Sequence, residues 1–377
     1  MSELFQQGQA AHQAGDFAEA ERLYRAAVAA TPDEPQILRL LAIILLQKGE
    51  ATEGEPYIAR AVQLMPGEAY MHQNHVLLLN DLGRHQEAIE AAGRAIALKP
   101  DYALAFFNRG TAAGALGRFA EALADYTRAV ALGLRDPALF FALGHALAAL
   151  GRNDEAAAAY ERAIVLKPDY IEAIANRGIA LKELGRKEEA LAAFDRATQL
   201  NPNIAQSHNM RATILFEMRR FEEAIQAFEI ALRLNPEYAK AWFNFGNLWN
   251  VVGRYGAAEV AYARALSIDP NLPYVRGHHL HAAMHLCDWT DFSVRNDAVL
   301  AQVDAGQPVQ PFFFIVPAVQ CRTATSLRGN IRARKMPRPA AHRQRPPQAG
   351  AVAHRLCRQC FPRTCRVAAD YGYAGTP

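Results

Sequence analysis

Leu98-Lys99-Pro100 recurs along this chain at a fixed interval. The same order of an aliphatic residue, a polar residue and a proline is found at Leu166-Lys167-Pro168, Leu200-Asn201-Pro202, Leu234-Asn235-Pro236 and Ile268-Asp269-Pro270. Neighbouring prolines stand 34 residues apart, with one double interval from Pro100 to Pro168, and Pro32 and Pro66 keep the same spacing. A period of about 20–50 residues is typical of stacked structural repeats, so the sequence is best read repeat by repeat.

Eight rows of 34 residues, the first starting at Met1, fit the chain without an insertion. Row position 27 is Ala throughout, and position 24 is mostly aromatic. Position 8 is small or β-branched in every row: Gly8, Ala42, Val76, Gly110, Gly144, Gly178, Ala212 and Gly246. Apolar residues three and four apart indicate helices, the Gly at position 15 of seven rows is a natural helix end, and a proline at position 32 stops the next helix. The pattern predicts two helices per row and an all-α fold.

With these columns, each row resembles a tetratricopeptide repeat, a 34-residue antiparallel pair of helices. The resemblance covers residues 1–272, as eight repeats. It implies a right-handed superhelix, an α-solenoid, whose first helices line a concave groove. A row of such pairs buries a continuous core and leaves an extended surface for binding other proteins.

Row position 6 lies on the first helix, away from its partner helix, and it holds an asparagine in four rows: Asn74, Asn108, Asn176 and Asn244. Asparagine offers a donor and an acceptor together, so such a column can hold the backbone of an extended peptide whatever its sequence. The column resembles the asparagine ladder of O-linked N-acetylglucosamine transferases. A tolerated polar residue on an exposed face is the alternative.

The neighbouring positions on the same helices carry further candidates for peptide contact: Phe107, Phe141, Phe243, Lys182 and Asn250. Aromatic side chains here are either binding hot spots or part of the packing beneath the next row.

Residues 273–316 form a predicted linker, in which a ninth row begins and then departs from the pattern. His281 and His285 share one helix face near Cys287, but two ligands without a clear third predict no metal site. Cys287-Asp288-Trp289, followed by Asp291-Phe292 and later by Pro311-Phe312-Phe313, resembles the segment that joins repeats to catalytic lobes in bacterial O-linked N-acetylglucosamine transferase and Spindly-type proteins.

That resemblance implies a protein glycosyltransferase that transfers a sugar from a nucleotide donor to Ser or Thr. The remaining residues show no glycine-rich phosphate loop at a strand–helix junction. We therefore predict no catalytic residue and no cofactor in this chain.

Residues 317–377 form a predicted disordered, basic tail. From residue 305 onwards there are eleven Arg, one Lys and one Asp, a net charge of +11; because the whole chain carries +3, the remainder carries −8. A nucleic-acid-binding arm, a zinc knot of His354, Cys357, Cys360 and Cys365, and out-of-frame translation all fit this composition. We favour out-of-frame translation as the origin of the tail, and we expect no nucleic-acid partner.

The sequence predicts an interaction scaffold that holds a partner protein as an extended segment, and the competing class is an active protein glycosyltransferase. We expect a cytoplasmic location, because the start has no signal-peptide character and no apolar run reaches the ~20 residues that span a bilayer. The sequence leaves the oligomeric state open.

Overall fold

The computed structural model of the protein describes residues 3–308, and every regular element in that range is an α-helix. The all-α prediction is therefore confirmed. The described residues divide into two compact units, with the boundary between Pro202 and Asn203. The predicted tail, residues 317–377, and the end of the predicted linker lie outside the described residues.

The first unit contains six helix pairs: α1 (Glu3–Gln13), α2 (Phe17–Ala30), α3 (Pro35–Gln47), α4 (Ala51–Leu64), α5 (Ala69–Asp81), α6 (His85–Leu98), α7 (Ala103–Ala115), α8 (Phe119–Ala131), α9 (Pro137–Ala149), α10 (Asn153–Leu166), α11 (Ile171–Glu183) and α12 (Lys187–Leu200). Each pair occupies one 34-residue row. Every helix packs on the next one, and first helices of adjacent rows also touch, as α5 touches α7. The first helices thus form one layer of this unit and the second helices another.

Up to residue 308, the second unit contains three pairs: α13 (Ala205–Glu217), α14 (Phe221–Leu234), α15 (Ala239–Val251), α16 (Tyr255–Ile268), α17 (Val275–His285) and α18 (Phe292–Asp304). The pair α17–α18 lies in the segment predicted as a linker, and α17 packs on α16 as the first helix of a further repeat would. Trp289 and Phe292 pack against the buried side chains of Leu280 and Met284.

The turn inside each pair is built on a residue with positive φ at row position 15, as at Gly185, where φ is +75°. Glycine adopts this conformation at no steric cost, and this explains the column seen in the sequence. Arg219 and Cys287 take the same place with φ values of 60° and 55°. The seventh row and the α17–α18 pair therefore keep the turn without its preferred residue.

The small residues of position 8 make room for the large residue at position 24 of the same row. A Cβ on Gly246 would lie 2.5 Å from Tyr262 Cε1, and one on Gly178 would lie 2.7 Å from Phe194 Cε2. The third row reverses the arrangement, because Val76 stands at position 8 and Ala92 at position 24, both fully buried. In each of these rows the space between the two helices is thus filled by one larger side chain, which comes from the second helix in some rows and from the first helix in the third row.

Candidate functional site

Three of the four predicted ladder residues, Asn74, Asn108 and Asn176, lie on the first helices of the first unit, on α5, α7 and α11. All three are half-buried. Their side-chain amides make no hydrogen bond to any other residue in the described part of the chain, and none of them is sealed from solvent. The layer of first helices therefore carries amide donors and acceptors that its own fold does not use.

Other asparagines on first helices are used inside the fold. Asn80 Nδ2 donates to the backbone carbonyl of Asn108 at 3.1 Å, and Asn247 Oδ1 accepts from the Tyr262 hydroxyl at 2.9 Å. Asn80 thereby joins α5 to α7 at the helix turn that carries Asn108. The contrast separates these two amides, which bond within the fold, from the three that make no hydrogen bond to a described residue.

Asn244, the fourth predicted residue, lies on α15 in the second unit and is half-buried. Its Nδ2 donates to Asn209 Oδ1 at 3.2 Å and to Thr213 Oγ1 at 3.4 Å, both on α13. The side-chain nitrogen of Asn244 is therefore engaged within its unit, whereas its side-chain oxygen makes no hydrogen bond to a described residue.

The aromatic candidates pack inside their own repeats. The ring centroid of Phe107 lies 6.0 Å from that of Tyr126, and the centroid of Phe141 lies 5.8 Å from that of Tyr160. Phe243 stands in the same relation to Tyr262, at 6.1 Å. Each ring therefore has a packing role within its own row, whereas the alternative from the sequence was packing beneath the next row. A role of these rings in peptide contact stays a prediction.

Arg39 is a site residue that sequence reasoning missed. It lies on α3, half-buried, with its guanidinium 5.6 Å from the centre of the Tyr70 ring and its Nε 3.2 Å from Gln36 Oε1. Burial lowers the pKa of Arg39, and no carboxylate in the described range pairs with it. The sequence did contain a signal for Arg39, because it stands at row position 5, the same position as Gln73 and Phe107.

The second unit contains a cavity of about 360 Å³ between α13, α15 and α17. Its lining combines aromatic and apolar side chains with two asparagine amides: Phe216, Phe243, Asn247, Asn250, Val251, Tyr274 and His278. Of the residues proposed for peptide contact from the sequence, Phe243 and Asn250 lie in its wall.

The histidines of α17 are half-buried. The ring of His285 stacks on Tyr255 at 4.0 Å between centroids, and its Nε2 lies 3.2 Å from His281 Nε2. Burial, with a smaller contribution from His281, lowers the pKa of His278 to about 4. Within residues 3–308, no group of three or more His, Cys, Asp and Glu side chains is arranged to hold a metal ion.

We expect the second unit to lose stability on acidification. An unfolded His278 takes up a proton near pH 6.5, whereas the folded residue stays neutral down to about pH 4. Below pH 6.5 the unfolded state therefore binds more protons, and by pH 5 this removes roughly 2 kcal/mol from the free energy of unfolding. Urea unfolding followed by tryptophan fluorescence measures this unit alone, because Trp242, Trp249 and Trp289 all lie in it. His278→Asn is expected to make the pH dependence between pH 7 and 5 shallower without removing it, because burial also lowers the pKa of His279, His281 and His285. An unchanged slope would contradict this assignment.

None of the helices between residues 3 and 308 has both the length and the apolar character needed to cross a bilayer. The cytoplasmic location stays a prediction.

Two family models match the chain, and both are described as tetratricopeptide repeat. One matches residues 5–69, 74–137, 107–171 and 209–273, and the other matches residues 143–215. No match was found among curated proteins. The resemblance of residues 273–316 to a transferase linker stays a prediction, because both models concern the repeats.

Among solved structures, the chain is similar to YrrB, described as a TPR protein with an unusual peptide-binding site. The identity is 23%, the match covers 49% of this chain and 95% of that chain, and the TM-score is 0.46. The chain is also similar to the Cut9–Hcn1 hetero-tetramer of APC/C, at 16% identity over 71% of this chain and 52% of that chain, with a TM-score of 0.51. The present chain thus spans about half the length of this second relative, and the likeness concerns the fold alone.

The repeat model matched first covers more than half of the 377 residues, in register with the helix pairs of the structure. The protein therefore belongs to the tetratricopeptide repeat family, whose helix pairs serve as scaffolds for protein interaction.

Proposed function

We propose that the protein binds an extended peptide segment of a partner protein along the first helices of its first unit, with Asn74, Asn108 and Asn176 holding the peptide backbone. The observation that carries this proposal is that these three amides are half-buried, open to solvent and unused by the fold. A peptide backbone presents an N–H and a C=O at each residue, which are the complements of an asparagine amide.

Arg39 adds a positive charge to the same layer of helices, and no carboxylate among residues 3–308 pairs with it. Partner segments that carry an acidic residue are therefore favoured over basic ones by charge. In the second unit, Asn244 contributes its free carbonyl oxygen in the same manner, as an acceptor for a backbone N–H.

We expect replacement of Asn74, Asn108 and Asn176 together by Ala to weaken peptide binding by at least about 10-fold, because three lost hydrogen bonds of ~0.5–1.5 kcal/mol each remove at least ~1.5 kcal/mol and about 1.4 kcal/mol is a factor of ten. The probe is a dodecapeptide selected from a random-sequence library against the full chain, and its affinity is measured by fluorescence anisotropy. Helicity is expected to stay unchanged.

Asn153→Ala is the matched control for this experiment. Asn153 is also half-buried, but it begins α10, the second helix of its pair, and lies outside the layer of first helices. This variant is expected to bind the selected peptides as the wild type does. If the triple variant also keeps full affinity for every selected peptide, the asparagines are surface residues without a binding role.

We also infer that the chain derives from the repeat-bearing half of a protein O-linked N-acetylglucosamine transferase. The support is the order Cys287-Asp288-Trp289 and Asp291-Phe292, which follows the last matched repeat, ending at residue 273, after the single helix α17. If the protein acts only as a scaffold, we expect calorimetry to show no saturable binding of UDP-N-acetylglucosamine to the full chain. Saturable binding would instead favour the alternative function, a protein glycosyltransferase.

A further inference from the structure

Arg39 differs from the other arginines on the first helices of the first unit, because both of those are paired with an acid. Arg109 binds both carboxylate oxygens of Asp125 at 2.8 and 2.6 Å, and Arg177 Nε lies 2.7 Å from Glu161 Oε2. No carboxylate among residues 3–308 pairs with Arg39, and burial lowers its pKa. The layer of first helices therefore carries one half-buried positive charge that no acid in this range compensates.

Gln36 joins Arg39 to Tyr70, and its orientation decides which polar groups remain available. Because a guanidinium can only donate, the contact of 3.2 Å from Arg39 Nε makes Oε1 of Gln36 the acceptor. The Nε2 of Gln36 therefore donates to the hydroxyl oxygen of Tyr70, at 2.5 Å. The O–H of Tyr70 itself has no acceptor among residues 3–308, so it is left as a donor.

The groups that remain around Arg39 are all donors. Its Nη1 and Nη2 make no hydrogen bond to a described residue, and neither nitrogen is sealed from solvent. With the Tyr70 hydroxyl, they form a set of donors that an anionic oxygen ligand would complement. A carboxylate offers two oxygens to the two parallel N–H groups of an arginine.

The charge around Arg39 favours a carboxylate over a phosphoryl group. The charge of Arg39 is influenced by burial and by the hydroxyls of Tyr24, Tyr70 and Tyr102, and no second cation is among these influences. A phosphoryl group carries about −1.5 to −2 charges at pH 7, which one guanidinium does not balance. A carboxylate carries a single charge and is balanced by Arg39.

The spacing of the rows places this site relative to Asn74. Arg39 lies on α3 at row position 5, Asn74 lies on α5 at position 6 of the following row, and the two helices touch. Packed helices lie about 8–10 Å apart, and an extended peptide advances about 3.3–3.6 Å per residue. One row therefore corresponds to about three residues of a peptide that runs along the first helices.

We propose that Arg39 and Tyr70 bind the side-chain carboxylate of a Glu or Asp residue in the bound peptide, about three residues from the residue that Asn74 holds. This proposal rests on the proposed function, and it turns a general preference for acidic segments into a requirement at one place. The backbone contacts of the asparagines carry no such selectivity.

The test uses the ¹⁵N-labelled full chain and two probes, N-acetyl-glutamate N-methylamide and its glutamine analogue. The readout is the Nε–H signal of Arg39, which is assigned by its loss in Arg39→Lys. We expect a saturable shift of this signal with the glutamate probe and at least about tenfold weaker binding of the glutamine probe, because only the carboxylate forms charge-assisted hydrogen bonds. The Nε–H signal of Arg152, which binds Glu155 at 2.7 Å, is the control and should not shift.

Tyr70→Phe is expected to weaken binding of the glutamate probe by about threefold, because it removes one donor. Tyr57→Phe, on the second helix α4, is the matched control and should have no effect. The absence of a saturable Arg39 shift, an equal shift at Arg152, or equal binding of the two probes would each overturn the proposal. Tighter binding of N-acetyl-phosphoserine N-methylamide than of the glutamate probe would also overturn it, because the site would then select a phosphoryl group.

The position of the acid is tested with dodecapeptides that are selected against the full chain and amidated at the C-terminus, so that no terminal carboxylate is present. Replacing the selected acid by its amide should weaken binding at least about tenfold to the wild type and less than about twofold to Arg39→Gln. Equal losses on both proteins would contradict the assignment. The probe comparison needs no selected peptide, so its failure is distinguishable from a failure of the asparagine test.

Discussion

Gly178→Val should lower the local free energy of unfolding of the α11–α12 pair by about 3 kcal/mol, because a Cβ at this position would meet the Phe194 ring at 2.7 Å. Phe194→Ala alone should cost about 4 kcal/mol, since it leaves a ring-sized cavity in a fully buried site. Amide hydrogen exchange over α11 and α12, read by mass spectrometry, measures both effects.

The double variant, Gly178→Val with Phe194→Ala, recreates the Val76 and Ala92 arrangement of the third row. We expect it to be more stable than the sum of the single effects predicts, with a coupling of about 2 kcal/mol. Gly93→Val is the control, because a Cβ there meets no atom within 4 Å. It should leave exchange in α6 unchanged or slower. Simple additivity of the two core changes would show that the positions do not fill one shared space.

Arg109→Met should destabilise the fourth repeat by about 3 kcal/mol, because it strands the carboxylate of Asp125. Asp125 is only 7% exposed, and the Arg109 guanidinium, half-buried beside the Phe106 ring, binds both of its oxygens at 2.8 and 2.6 Å. The carboxylate raises the pKa of Arg109. Hydrogen exchange over α7 and α8 is again the measurement.

The exposed pair Arg152–Glu155 is the matched control, because it has the same bidentate geometry with both side chains about half exposed. Arg152→Met is expected to change stability by less than about 0.5 kcal/mol. Adding Asp125→Leu to Arg109→Met should restore most of the lost stability, because no unpaired charge then remains. If Arg109→Met and Arg152→Met have equal effects, burial of Asp125 contributes nothing.

Helix bounds followed from the sequence with little error. Gly at position 15 and Pro at position 32 are local signals, and in all eight rows the first helix ends at position 13 and the second begins at position 17. Where the local signal failed, at Arg219 and Cys287, packing of the flanking helices holds the same turn with φ values of 60° and 55°. Packing against the neighbouring helices thus keeps the turn at position 15 in a row that lacks the preferred glycine.

The sequence shows the asparagine column, but it does not show which of the four side-chain amides form hydrogen bonds within the fold. Asn74, Asn108 and Asn176 are unused by the fold, whereas Asn244 Nδ2 bonds to Asn209 and Thr213 on the preceding first helix. Nothing within one row reports this, because the two partners stand 35 and 31 residues earlier in the chain. The cavity could not be predicted from the sequence for the same reason, because residues from three helices of different rows form its wall.

The sequence by itself determined the class of the protein, because a 34-residue period of prolines, glycines and small residues specifies each helix pair through local rules that every row repeats. Only the tertiary structure decided which polar groups remain available and where a guest can enter. Those properties depend on side chains brought together from separate rows, as Arg39 is with Tyr70 or Phe216 with His278. The burial of a side chain, the balance of charge around it and the presence of a cavity depend on all the residues that surround it in space. Packing decides which residues these are, and the order of residues in the chain does not.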